Sequence, residues 1–402
     1  MDNFLIAIFG VYIFIKIVIE IKEVIYVKNT FKDGTVLMDL ENYKDAAIYS
    51  IYKHTIDIFN SLISLFLVVF WVSGGLFIVN FIMFKKGSLL NELEILLVFF
   101  AINYILTLPI HIWEKHIDKK FGFNVAPWKM FFIDEIKKIV LFIIFGGAFF
   151  AGLIYFIDNF KNWWLIGFIF SFIVVILINV LYPFFAAWFN KFEPLKDEEL
   201  KTSIEEMMEK VGFKSSGIFV MDASKRDTRL NAYFAGLGNT KRVVLFDTLL
   251  KKLNKNEILA VLGHELGHFK HKDILKNIAV VGAMLFILFF IFGHLPDKLF
   301  KDLMIPKSGV NIVILALLFS EVIFFILQPI VNLISRNNEF KADEMGSELV
   351  SKKDLASALK KLVSENKHYP RVSKLYSLIY YSHPPIIERL KRLDDESVNN
   401  GN

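Results

Sequence analysis

Apolar residues in this chain gather into seven long runs separated by polar stretches. The runs cover roughly residues 4–21, 58–81, 93–113, 139–157, 163–189, 275–293 and 310–334. A helix needs about 20 mostly apolar residues to cross a bilayer. The pattern therefore predicts a polytopic α-helical membrane protein with seven transmembrane helices. The longest polar stretch, 190–274, reads differently. Residues 198–211 have helical periodicity. Residues 217–221 and 243–246 are short β-branched or aromatic runs, the second following Gly236-Leu-Gly-Asn-Thr-Lys-Arg, and both predict strands. Helical spacing returns over 254–269, opened by Asn254 with Glu257 three residues on, the pattern of a capping box. The expected organisation is five spans in 1–189, a small α+β domain in 190–273, two spans in 274–335 and a terminal segment in 336–402.

Composition agrees with this division. The chain has 402 residues, 55% of them hydrophobic, with 43 Phe and no Cys. Soluble proteins sit near 45–50% apolar. The absence of Cys excludes disulfides and thiolate-bound metal. Net charge is +5, and the lysines flank apolar runs rather than forming a stripe. That favours contact with a membrane surface over nucleic acid. Met1-Asp2-Asn3 lacks a basic region, and no small-residue cleavage site follows, so the first run reads as a retained span. Lys22, Lys28, Lys32, Lys44 and Lys53 lie between runs one and two, and Lys115, Lys119, Lys120, Lys129, Lys137 and Lys138 between three and four. The other side carries Lys85, Lys86, Lys161, Lys298, Lys301 and Lys307. The heavier set is expected in the cytosol, together with the polar domain.

The chemistry concentrates at His264-Glu265-Leu266-Gly267-His268. On a helix the two histidines stand one turn apart on one face, where both imidazoles reach a single ion. Zinc accepts such nitrogens, and a catalytic site needs a third protein ligand and a water. Glu265 is placed to take a proton from that water. The third ligand is sought in Asn338-Glu339-Phe-Lys341-Ala-Asp343, where the seventh run ends. One of Glu339 and Asp343 could bind the ion while the other orients a ligand imidazole; the alternative is two solvated acids beside Lys341. His383-Pro384-Pro385 and Glu388-Arg389 could supply a donor to an oxyanion, or form only a turn before a helix at 386–393. Asn231-Ala-Tyr-Phe could hold a substrate backbone or cap a turn. Inside the apolar runs, Glu321 suggests a water-accessible interior, while Asn103 and Asn179 suggest hydrogen bonds between helices.

Taken together, these segments resemble the Ste24-type CAAX prenyl protease family of M48 zinc metalloproteases, as in a prokaryotic member. The resemblance runs through Phe121-Gly-Phe-Asn124, residues 190–195, 221–226, Asn231-Ala-Tyr-Phe234 and 241–248. It continues through His264–His268, Glu339 to Asp343 and His383-Pro-Pro. It implies seven membrane helices around an intramembrane chamber, with a zincin-like catalytic domain at its cytosolic end. It implies one zinc ion bound by His264, His268 and Glu339, with Glu265 as general base and acid. It further implies that Asp343 orients a ligand histidine, that His383 and Arg389 support the transition state, that Asn231 binds substrate, and that Glu321 lines the chamber. The implied substrate is a peptide or protein, prenylated at a C-terminal CaaX sequence. The implied location is the inner membrane of a bacterium or the endoplasmic reticulum of a eukaryote, although residues 398–402 carry no dilysine-type signal. Two other readings compete. One is a quality-control protease of the HtpX branch, whose members have about four spans against the seven read here. The other is a transporter or channel with an incidental HExxH.

Overall fold

The computed structural model describes residues 2–236 and 241–395. Part of the turn before the second predicted strand, and the 398–402 tail, lie outside the described residues. All seven predicted spans are helices long and apolar enough to cross a membrane. The first is α1, Asp2–Thr30. The second is α2, Leu40–Phe70, joined through a π turn at Trp71–Gly75 to α3, Leu76–Met83. The third is α4, Leu89–Lys120. The fourth joins α5, Trp128–Leu141, to α6, Gly147–Asn159, through a second π turn. The fifth is α7, Trp163–Ala186.

Several spans outrun their hydropathy, for one physical reason. The first was expected to stop near Glu20, yet α1 continues past it by nearly three turns. Glu20 and Glu23 are buried. Glu20 Oε2 lies 2.7 Å from His54 Nδ1 on α2, and Glu23 accepts from Ser373. Polar groups satisfied inside a bundle do not end a helix. The polar stretch before residue 58 is helical from Leu40 for the same reason, with Asp39 as its N-cap. Asn103 and Asn179 correct an expectation. Each bonds the carbonyl four residues back in its own helix, Phe99 and Val175, rather than a neighbouring helix. Glu321 receives a 3.4 Å contact from Tyr12 on α1.

The polar domain holds more sheet than its sequence suggests. It comprises β1 (Phe192–Pro194), α8 (Glu198–Val211), β2 (Ile218–Met221), β3 (Ala232–Ala235), β4 (Arg242–Phe246), α9 (Asp247–Lys252) and α10 (Lys255–Lys270). The sheet order is β1-β2-β4-β3. The two predicted strands, β2 and β4, pair in parallel, with Ile218 opposite Val243. β3 pairs antiparallel to β4, with Ala232 opposite Leu245, and forms one edge. Ile204 of α8, Leu245 of β4 and Leu262 and Leu266 of α10 bury one shared core.

The chain then re-enters the membrane as α11 (Asp273–Gly293), turns through α12 (Asp297–Asp302) and returns as α13 (Gly309–Leu349). The spans meet at the end remote from the polar domain, around Phe9, Trp71, Phe99, Phe300 and Val310. There Glu92 and Asp158 accept from the backbone N–H groups of Val310 and Gly309, satisfying the start of α13. Three helices close the chain: α14 (Lys352–Glu365), α15 (Lys374–Tyr380) and α16 (Ile386–Arg392). The segment between α14 and α15 is tied to α2 by Tyr369 Oη to Tyr43 Oη at 2.9 Å and Lys367 to Asp45 at 2.6 Å, and to α1 by Tyr369 Oη to Thr30 Oγ1 at 3.0 Å.

Candidate active site

The capping box predicted for α10 is present. Glu257 N donates to Asn254 Oδ1 at 3.0 Å, and Asn254 N donates to Glu257 Oε2 at 2.8 Å. The start of this helix is therefore fixed, and with it the direction of His264 and His268. The helix lies against α13 along a seam of small residues. A Cβ on Gly267 would meet Ala342 Cα at 2.8 Å, and one on Gly346 would meet His264 N at 2.9 Å. Only residues without side chains allow this approach, which brings Glu339 and Asp343 under the two histidines.

Distances at this crossing describe a cradle for an ion. His264 Nε2 lies 3.5 Å from Glu339 Oε2, and His268 Nε2 lies 3.3 Å from Glu339 Oε1. Four ligands arranged tetrahedrally at about 2.0–2.1 Å stand about 3.3 Å apart, so these atoms already have the spacing of a shared metal. The opposite ring nitrogens are taken: His264 Nδ1 by Asp343 Oδ1 at 2.8 Å, His268 Nδ1 by Asp273 Oδ2 at 2.9 Å. Each bond turns the Nε2 of its ring towards Glu339 and raises its basicity as a ligand. Glu339 is buried, and its Oε2 has no hydrogen-bond partner. A buried carboxylate oxygen without a donor is costly, and a cation would satisfy it. Burial pulls the His268 imidazole down, but hydrogen bonds to Glu339 and Asp273 outweigh it and push its pKa up to about 9. The donor set fits a divalent metal. A second group, Glu20, His54 and Asp57, also lies close together. Its 2.7 Å contact is a hydrogen bond, too short for two ligands spread around one ion.

Known proteins resemble this chain along its whole length. A model described as CAAX prenyl protease N-terminal, five membrane helices, matches residues 28–191. The model of peptidase family M48 matches residues 194–397, which include every residue of the cradle. The chain belongs to peptidase family M48. CAAX prenyl protease 1 of Saccharomyces cerevisiae is 35% identical over 319 residues, covering 73% of this chain and 70% of the relative. The CAAX prenyl protease 1 homolog of Homo sapiens is 30% identical over 416 residues, covering 89% and 87%. The crystal structure of S. mikatae Ste24p superposes with a TM-score of 0.90 at 28% identity, over 98% of this chain and 99% of that one. The protein is thus a multi-pass membrane metallopeptidase.

Around the cradle of this M48 peptidase, the other candidates take distinct positions. Glu265 follows the first histidine and faces two cavities; burial pushes its carboxyl pKa up against the pull of His264 and His268. His383 Nε2 lies 3.3 Å from Glu339 Oε1. Its ring is exposed in the walls of both cavities. Arg389 is buried and holds Asp343 with two bonds, Nε to Oδ2 at 2.8 Å and Nη2 to Oδ1 at 2.6 Å. Its remaining nitrogen, Nη1, lies 3.8 Å from Glu339 Oε2. Asn231 is exposed just before β3, in the wall of the larger cavity, with its Oδ1 accepting from Ala232 N at 2.9 Å. The larger cavity, about 790 Å³, runs from Glu265 past Asn231 to His54 and Tyr381. The smaller, about 520 Å³, lies on the other side of Glu265, between α10, α11 and α13.

Three contributors escaped sequence reasoning. Asp273 holds His268 because Lys272 adopts a left-handed φ of 57°, which turns the chain back under the ring. The small-residue seam had a signal, Gly263 and Gly267 four apart with Gly346 beyond Ala342. Edge strand β3 had only the Asn-Ala-Tyr-Phe run, too short to separate from a turn.

Proposed function

We propose that this M48 peptidase hydrolyses a peptide bond near the C terminus of CaaX-type proteins carrying a prenylated cysteine. One zinc ion per chain is held by His264, His268 and Glu339. The observation that carries the metal assignment is the buried Glu339 carboxylate, its Oε2 without a hydrogen-bond partner, set between two imidazoles whose other nitrogens are already bonded. The substrate reading is supported by the names of the relatives and by the two cavities that meet at Glu265.

When bound, zinc supplies a Lewis acid that acidifies a water and polarises the scissile carbonyl. Glu265 takes the proton from the attacking water and returns it to the leaving amide nitrogen. The burial that raises its pKa suits it to hold that proton between the steps. His383 donates from Nε2 to the oxyanion. Arg389 is a positioning residue, since it fixes Asp343, which fixes His264. Asn231 offers its amide NH2 to the substrate backbone at the start of edge strand β3. The lysine-rich loops at this end of the bundle support a cytosolic active site.

The test is metal analysis of purified protein, with cleavage of a farnesylated CaaX peptide before and after chelation. About one zinc per chain and chelator-sensitive, zinc-restored cleavage are expected. Glu265→Gln should keep its metal and lose roughly 10²–10⁴-fold in rate. Full activity in that variant refutes the mechanism. Cleavage of unfolded membrane segments with none of any CaaX peptide refutes the substrate reading.

A further inference from the structure

Traced back towards its start, β3 leads into a closed end wall. Ala232 lies in the wall of the larger cavity and Phe234 in that of the smaller. Glu265 faces both cavities, so Tyr233, between those two residues, stands level with the reacting point. A substrate paired with this edge in the commoner and slightly more stable antiparallel sense has its C-terminal side in the larger cavity. Phe246 N donates to Asn231 O at 3.1 Å, so the backbone of Asn231 faces β4 and that of Ala232 and Leu230 faces outward. The rung at Leu230 is already filled. Leu230 N donates to Asn366 Oδ1 at 2.8 Å, and Leu230 O accepts from Asn366 Nδ2 at 3.2 Å. A side-chain amide takes the place that a longer paired strand would need, so the pairing stops there.

Past this stop the wall is positive. The Arg229 guanidinium lies 4.3 Å from the Phe123 ring centroid, and Lys367 Nζ lies 6.0 Å from the same ring. Both side chains line the larger cavity, whereas their partners Asp227 and Asp45 do not. The cavity therefore meets the cations, with those acids behind them. Two acids do face inward, and each is held: Asp118 by Tyr49 Oη at 2.7 Å and Arg229 at 3.2 Å, and Glu114 by Lys53. Lys367 has a left-handed φ of 47°, and His368 after it is exposed in the cavity wall. Among the described residues, its ring nitrogens have no hydrogen-bond partner. Arg229 and His383 both act electrostatically on that ring, which puts it within reach of the end wall and of the reacting point.

Resting on the CaaX reading above, we propose that the turn at 366–368 is a stop and anchor for the free C terminus of the substrate. Asn366 ends the main-chain pairing. His368 donates from its ring to the terminal carboxylate, and Arg229 and Lys367 supply positive potential around it. The substrate is thereby measured from its end. With the cut after the cysteine, the aaX residues run from the level of Tyr233 to that of Leu230, one substrate residue for each residue of the chain leading into β3, over about 10 Å. A peptide that is blocked at X, or continues beyond it, presents no carboxylate at this point. The wall therefore selects free C termini over internal segments.

The experiment uses one farnesylated CaaX sequence in three forms: the free acid, its C-terminal amide, and the acid extended by Gly-Gly. On wild type, kcat/KM for the free acid should exceed that for the amide by about 10–100-fold, mainly through KM, the range for a hydrogen bond to a charged group. His368→Leu should lower this acid-to-amide ratio by about tenfold or more. Asn366→Ala opens the rung at Leu230 and should raise cleavage of the extended peptide relative to the free acid. The wild-type comparison of acid with amide needs no variant, so it decides the matter if one does not fold. Equal rates on acid and amide, or an unchanged ratio in His368→Leu, would overturn the anchor. An unchanged preference against the extended peptide in Asn366→Ala would overturn the stop. A wild type that cuts unfolded membrane segments but none of the three forms would instead sink the CaaX reading itself, so the two failures are distinguishable.

Discussion

Gly267→Ala tests whether the metal cradle depends on how closely two helices approach. A Cβ at this position meets Ala342 Cα at 2.8 Å and Met345 Cβ at 3.1 Å, whereas ordinary contact begins near 3.4 Å. The nearest obstacle is backbone, so no rotamer change relieves it, and the pair must open by about 0.6 Å at this point. Metal sites tolerate about ±0.2 Å in ligand distance. His268 and Glu339 lie on opposite sides of that opening, at 3.3 Å. The exchange of Gly for Ala in a helix favours folding by about 1 kcal/mol, and overpacking costs about 1–3 kcal/mol. Sterics therefore cancel or exceed the helical gain, and the net loss of stability is at most about 2 kcal/mol. The larger effect falls on the ion, with zinc affinity expected to drop by about 10–100-fold, the range for lost ligand support. Competition against a chromophoric chelator measures it, with Gly10→Ala as control, because nothing lies within 4 Å of a Cβ at Gly10. Wild-type zinc affinity and full activity in Gly267→Ala would refute the claim that the seam sets the geometry.

Two further outcomes follow from the same geometry. Metal must displace the proton that His268 carries up to a pKa of about 9, so zinc affinity should rise tenfold per pH unit up to that value and then flatten. A pH-independent affinity below it would show that the pair is not the binding site. Without metal the sign reverses. The raised pKa stabilises the fold fully below the ordinary value of 6.5 and is lost as pH rises through about 9. Metal-free protein should melt at a lower temperature at alkaline pH than at neutral pH. Asp273→Asn removes the carboxylate behind His268 and should weaken zinc binding by about 10–100-fold. Isothermal titration of metal-free protein checks this, and unchanged binding would remove Asp273 from the site.

Much of the architecture was legible because it rests on local rules. Seven runs matched to bilayer thickness became seven spans, and the Asn254–Glu257 box became the start of α10. His264, Glu265, His268, Glu339 and Asp343 could be singled out as candidates because a helix fixes which residues share a face, and the structure brings them together. Legibility failed where partners come from far along the chain. Glu20 reads as the end of a span, and only His54 on another helix shows why the helix continues. Two nitrogens of Arg389 hold Asp343, a pairing across 46 positions that no local pattern encodes. β1 and β3, at three and four residues, exist because β2 and β4 lie beside them. The carboxylate pair that holds the start of α13 comes from two other spans.

The order in which the chain leaves the ribosome gives α13 a further meaning. This single helix of 41 residues crosses the bundle and carries Glu339 and Asp343 on its last turns. His264 and His268 are synthesised first, but their proposed third ligand arrives only once the final span is in place. Arg389, which holds Asp343, comes from the last short helix of all. If Glu339 is that ligand, a half-made chain would lack a complete metal site and could not cut its own unfolded spans or its neighbours. With that ligand set, activity would begin only once the final span is inserted, and the same structural strut would time biogenesis.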